Sequence, residues 1–228
     1  MNFVIKITIV SLVFATQIAF AQSPGGVSAG RSLWYRADVG TSCNTDNCLI
    51  DSWGESFASG NNASQPTPAE RPRFYAATPE LNFNPAIEFS GAQELAIENL
   101  NYTDQNLSHV YVWVVFKTDF NTGTLASNWA FLDFDRSEFF NFYARPDSGR
   151  IGWSYANDNS IRDNLGTSVV NNDVLHIASA AYNSSVANDT TVRVDGDLEL
   201  ETSRTNNDLL GDNITCLLYT SPSPRDRG

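Results

Sequence analysis

His109-Val110-Tyr111-Val112-Trp113-Val114-Val115-Phe116-Lys117 is the longest run of strand-forming residues in the chain. Side chains alternate across an extended strand, so Val110, Val112, Val114 and Phe116 share one face, and His109, Tyr111, Trp113, Val115 and Lys117 share the other. β-Branched and aromatic side chains suit a pleated, half-buried surface. A strand this apolar on both faces is expected in the middle of a sheet, with Trp113 and Trp34 among the buried rings.

Downstream, Val174-Leu175-His176-Ile177-Ala178-Ser179-Ala180-Ala181-Tyr182 reads as a second central strand whose small residues let neighbours approach closely. Thr190-Thr191-Val192-Arg193-Val194 and Leu198-Glu199-Leu200 flank Asp195-Gly196-Asp197. Asp-Gly suits the two positive φ angles of a tight hairpin turn. The pair His109 and His176 is read as structural, because neither has a second His or Cys at metal-ligand spacing. Turn residues recur at Gly54, Gly60-Asn61-Asn62, Asn84-Pro85, Gly91, Pro146, Gly149 and Asn171-Asn172, and no long stretch has a helical period. The pattern predicts an all-β, two-sheet antiparallel β-sandwich.

The 228 residues fit one domain with appendages. Lys6, an apolar stretch to Phe20 and the Ala19-Phe20-Ala21 triplet have the form of a secretory signal peptide over 1–21, which predicts a secreted or cell-surface protein with no membrane insertion after cleavage. The sandwich domain is expected over 22–215. Residues 216–228, beginning Cys216-Leu217-Leu218-Tyr219-Thr220-Ser221-Pro222, resemble the translation of a transposase-type sequencing adapter and fit no sandwich strand, so the domain is expected to be incomplete at its C-terminus. The formal net charge of −12, with Lys117 as the sole lysine after Ala21, argues against nucleic acid as a partner. In an exported protein Cys43 and Cys48 can form a disulfide closing the loop between them. The triplets at Asn62, Asn101, Asn106, Asn183, Asn188 and Asn213 have the N-x-[ST] pattern and mark polar surface loops.

Pro24-Gly25-Gly26-Val27, Leu33-Trp34-Tyr35-Arg36-Ala37-Asp38, Asp51-Ser52-Trp53, Arg71-Pro72 and Asn84-Pro85-Ala86-Ile87-Glu88-Phe89, in that order, resemble the N-terminal signature of concanavalin A-like/laminin-G-like domains on large secreted proteins of marine Bacteroidetes. The Val112 to Lys117 run and the Val192 to Gly196 hairpin fit the same pattern. The resemblance implies a jelly roll, one module of a longer chain with further domains, binding glycans or cell-surface polysaccharide on loops or a concave sheet. It does not by itself fix function, since the same sandwich carries lectins, hydrolases, lyases and spacers.

Asp133-Phe134-Asp135-Arg136-Ser137-Glu138 resembles the acidic strand of laminarinase-type glycoside hydrolases, with Asp133, Asp135 and Glu138 as minority catalytic candidates. Asp133 stands where that pattern has Glu, which would draw the nucleophile back from the sugar. No G-x-S-x-G elbow, phosphate loop or H-E-x-x-H motif is present. A non-catalytic carbohydrate-binding or adhesion module is therefore the expectation, with the hydrolase and a structural spacer as alternatives. Flat aromatic faces stack on sugar C–H faces, and Asn or Asp pair with hydroxyls. That reasoning selects Trp153, Tyr155, Asn157 and Asp158, with Trp53 and Trp129, as ligand-binding candidates. Calcium is the expected cofactor if there is one, with Asp158, Asp163 and Asp189 as the oxygen donors.

Overall fold

The computed structural model describes residues 33–57, 60–90, 93–97, 105–106, 109–119, 129–135, 140–145, 147–154, 165–183, 185–186, 190–202, 210–211 and 216–219. Its strands are β1 (Cys48–Leu49), β2 (Ser52–Trp53), β3 (Ala63–Ser64), β4 (Arg73–Thr78), β5 (Asn84–Glu88), β6 (Ala96–Ile97), β7 (Gln105–Asn106), β8 (His109–Lys117) and β9 (Trp129–Asp135). They continue with β10 (Phe140–Ala144), β11 (Arg150–Ser154), β12 (Leu165–Val169), β13 (Leu175–Asn183), β14 (Thr190–Val194), β15 (Asp197–Thr202), β16 (Leu210–Gly211) and β17 (Cys216–Tyr219). Among the described residues there is no α-helix, only short 3-10 turns at Pro68–Glu70 and Pro79–Leu81. The protein is all-β and antiparallel, consistent with a β-sandwich.

Two large sheets dominate, one ordered β15-β14-β13-β8 and the other β12-β11-β10-β9-β17. β8 and β13 pair without a bulge from His109 opposite Asn183 to Lys117 opposite Leu175. The predicted hairpin forms between β14 and β15, with Asp195 at φ 52° and Gly196 at φ 94°. Those two positive angles are what the turn chemistry demands, and glycine supplies the second without a Cβ penalty.

The inward face of β8 behaves as its alternation predicts. Val112 and Phe116 are buried, and Val110 and Val114 pack against the core. Ala178, Ala180, Tyr182, Val192 and Val194 extend that layer, while Phe131, Phe142, Ala144, Ile151 and Trp153 form the opposing one. Phe116 and Phe131 meet across the gap with ring centroids 4.3 Å apart. Each such side chain contributes about 1.5–3 kcal/mol on leaving water. Tyr143 lies directly opposite Gly152, where a Cβ would stand 2.5 Å from the Tyr143 ring, so the absent side chain makes room for a buried aromatic.

Two expectations change. β8 is an outer strand of its sheet as described, not a central one, and its second face is open: Trp113 is 67% and Tyr111 50% exposed. Apolar residues on both faces marked a strand whose outer surface is left bare, a pattern that also arises where a protein presents an apolar patch. Likewise Cys216–Tyr219, expected to fit no strand, pairs antiparallel with β9, Leu217 opposite Leu132. An open strand edge accepts an extended apolar segment on backbone hydrogen bonding alone, whatever the segment's origin.

Candidate ligand-binding face

Register places the outward residues of the four-stranded sheet in rows. Tyr111, Ala181, Thr191 and Glu201 make one row, and Trp113, Ser179, Arg193 and Leu198 the next. Val115 stands opposite Ile177 in a third. Trp113, Tyr111, Val115, Ile177 and Leu198 are all exposed, an apolar patch over β8 and β13 that gives way to Thr191, Arg193 and Glu201 on β14 and β15 before Leu198. Monomeric proteins seldom keep such patches without a partner for them.

The aromatic pair gives the face its geometry. Tyr111 and Trp113, two residues apart on one strand, hold their rings 6.1 Å apart with planes 16° from parallel. The amide of Asn183 donates to the Tyr111 hydroxyl at 3.4 Å, fixing a polar group at one end of the pair. Ser179 and Ala181, the residues opposite Trp113 and Tyr111, are too small to shade them. Broad ring faces beside hydroxyl and amide groups provide both elements of sugar recognition, C–H stacking and hydrogen bonding.

Two polar ties brace the end of the sheet where Val115 and Ile177 lie. The Lys117 ammonium contacts Asp173 at 2.9 Å and Glu80 at 3.3 Å. Asp173 above all, with Glu80, holds Lys117 above the usual lysine range. Buried His176 sets Nδ1 2.7 Å from Asp195 Oδ2 and Nε2 3.0 Å from Asn172 Oδ1, the structural role read from sequence. The backbone amide of Ile177 first, then His176, holds the Asp195 carboxyl below its usual range.

The residues selected from sequence fall elsewhere. Trp153 is fully buried and its ring meets Phe142 edge-on in the core, so it has no face for a ligand. It alternates inward with Ile151 on β11, the usual fate of Trp in a sandwich strand. Trp53 is half-buried, donating from Nε1 to the Arg36 carbonyl at 2.7 Å and packing on Tyr35, which makes it part of the wall around β2. The Trp129 backbone belongs to β9, while Tyr155, Asn157, Asp158, Asp163, Asp189 and Glu138 lie outside the described residues.

Asp133 is 4% exposed and sits two residues after Phe131, on the face of β9 that looks into the core. Asp135 is described for its backbone alone. Cys43 and Cys48 are joined, with Cα atoms 6.6 Å apart. Among the described residues no cluster of three His, Cys, Asp or Glu side chains is placed to hold a metal ion, and no helix is long and apolar enough to cross a membrane.

Sequence reasoning set Trp113 in the core and overlooked Tyr111. The sequence does carry a signal for both: opposite the row of rings, the paired strand has Ser179 and Ala181 rather than bulky partners. A search of protein-family models, curated proteins and solved structures finds no match to this chain.

Proposed function

We propose that this chain is a secreted, non-catalytic carbohydrate-binding or adhesion module of the concanavalin A-like/laminin-G-like jelly-roll type, taking a glycan on the outer face of β8, β13 and β14. The observation that carries the reading is the near-parallel, solvent-exposed Tyr111 and Trp113 pair, flanked by exposed Val115 and Ile177. Leaving such rings in water has a cost that a ligand recovers on stacking, at about 0.5–1.5 kcal/mol per aromatic contact beyond area burial. The chain's partner is a surface polysaccharide, whose C–H faces and hydroxyls the exposed rings and the Asn183 amide can engage.

Affinity electrophoresis against immobilised polysaccharides tests the reading. Native protein is retarded, and Trp113→Ala and Tyr111→Ala each weaken retardation by about tenfold, as 1.4 kcal/mol requires. Retardation that survives both substitutions, or none with any glycan, defeats the proposal.

A further inference from the structure

We infer that the ligand of this face is an acidic polysaccharide, one sugar stacking on Trp113 while Arg193 holds an anionic group, carboxylate or sulfate ester, of the same chain; this rests on the glycan-binding reading. Ser179 is directly opposite Trp113 on one side and Arg193 on the other, so the ring, a small hydroxyl and a guanidinium-bearing side chain share one row across three strands. With strands spaced 4.7–4.9 Å, the backbones of β8 and β14 stand about 10 Å apart. Nothing larger than Ser179 rises between them in that row.

Arg193 is the guanidinium in the row of Trp113, and among the described residues no carboxylate neutralises it there. Its Nη1 donates to the Gly196 carbonyl at 3.2 Å, at the neighbouring hairpin turn. Arg36, Arg71 and Arg145 each pair with an aspartate and Lys117 with two carboxylates, while Arg73 donates to Asn47 and Arg150 to the Gly166 and Leu165 carbonyls, both away from the Trp113 row. Among the described residues no carboxylate lies within ion-pair distance of Arg193, in a chain with 26 acidic and 14 basic residues. The nearest acid along the chain, Asp195, is engaged by the Ile177 amide and His176. Glu201 belongs to the adjacent row, opposite Thr191. An exposed guanidinium has a planar fork that matches carboxylate and sulfate oxygens two at a time. The chain's net negative charge opposes an anionic polymer at long range, but salt screens that repulsion beyond about 8 Å under physiological conditions, while a direct pair is screened much less.

The test is titration calorimetry of the native chain, Arg193→Gln and Trp113→Ala with polygalacturonate, a sulfated galactan and a neutral β-glucan at about 0.15 M salt. Thermal melts accompany it to confirm that both variants fold. The expected result is that at least one anionic polymer binds about tenfold tighter than the neutral glucan. Arg193→Gln abolishes that margin, while Trp113→Ala weakens binding of acidic and neutral polymers alike. The polymer preferred identifies carboxylate or sulfate as the anion. Neutral glucan bound as tightly as both acidic polymers, or acidic binding untouched by Arg193→Gln, overturns the inference and leaves the glycan reading standing. Silence with all three polymers overturns both.

Discussion

His176 Nδ1 lies 2.7 Å from Asp195 Oδ2, joining the buried side of β13 to the turn between β14 and β15, while Asp195 Oδ1 accepts the Ile177 amide at 2.9 Å. One carboxylate thus pins the hairpin beside the apolar row that begins at Ile177. Asp195→Asn keeps a residue that tolerates positive φ before Gly196, so the substitution removes the charge without breaking the turn. It should cost on the order of 1 kcal/mol in a urea titration at neutral pH.

The pH dependence of that difference has a definite sign. The folded-state carboxyl of Asp195 is held below its unfolded value, so its stabilisation is present above the unfolded value of about 3.8 and is lost as pH falls through the lower folded value. Native and Asp195→Asn midpoints should therefore converge on acidification below about pH 4. A gap that stays constant from neutral pH to pH 3 would show that the carboxylate charge is not what pins the turn.

Two tryptophans separate fold from function. Trp153 is fully buried between Phe142 and the rest of the core, so Trp153→Ala should cost about 3–5 kcal/mol. Trp113 is mostly in solvent, so Trp113→Ala should change stability by less than about 0.5 kcal/mol while weakening glycan retention. Chemical denaturation of both variants checks the contrast, and a large loss of stability in Trp113→Ala would mean that the ring serves packing instead.

That contrast also marks how far sequence carries. Alternation in His109–Lys117 predicted which residues of β8 share a face, and the Asp195-Gly196 turn predicted the β14–β15 hairpin, because both follow from local backbone geometry. Which side of a two-faced apolar strand is covered depends on what packs over it, and that is a property of sheet order, not of period. Trp113 was placed in the core and Trp153 at the ligand for the same reason: each lies on an alternating strand, and only the stacking of Phe116 on Phe131 establishes which face of each sheet is inside. Arg193 carries no local signature; its place in the row of Trp113 arises from pairing across β13.

The Cys43–Cys48 bond closes a loop that docks on β4, where Asp46 accepts the Ala76 amide at 2.6 Å and the Asn47 amide donates to the Phe74 carbonyl at 2.8 Å. Constraining so short a loop in the unfolded chain is worth about 2 kcal/mol in the chain-entropy account. Replacing both cysteines by serine should lower the melting temperature by several degrees at unchanged secondary structure, measured by circular dichroism. An unchanged melting temperature would mean that the docking contacts alone order the loop.

Glu199 ties the two large sheets at their rim. From β15 it accepts the Thr167 amide and hydroxyl at 2.7 Å and the Ser168 amide at 2.8 Å on Oε2, and the Ser168 hydroxyl at 2.7 Å on Oε1, all from β12. Burial is the strongest single influence on this carboxyl and opposes its ionisation, but the four hydrogen bonds together outweigh it and hold the group below the usual glutamate range. Its contribution is consequently full at neutral pH and lost as pH falls through the depressed folded value. Glu199→Ala leaves two backbone donors of β12 without their acceptor and should cost about 1–3 kcal/mol, near the lower figure because water reaches Thr167. Hydrogen exchange offers the sharper measurement. The Thr167 and Ser168 amides should lose protection in Glu199→Ala while those of the β8–β13 ladder keep theirs, whereas uniform loss across both sheets would place Glu199 in a global role rather than at this rim.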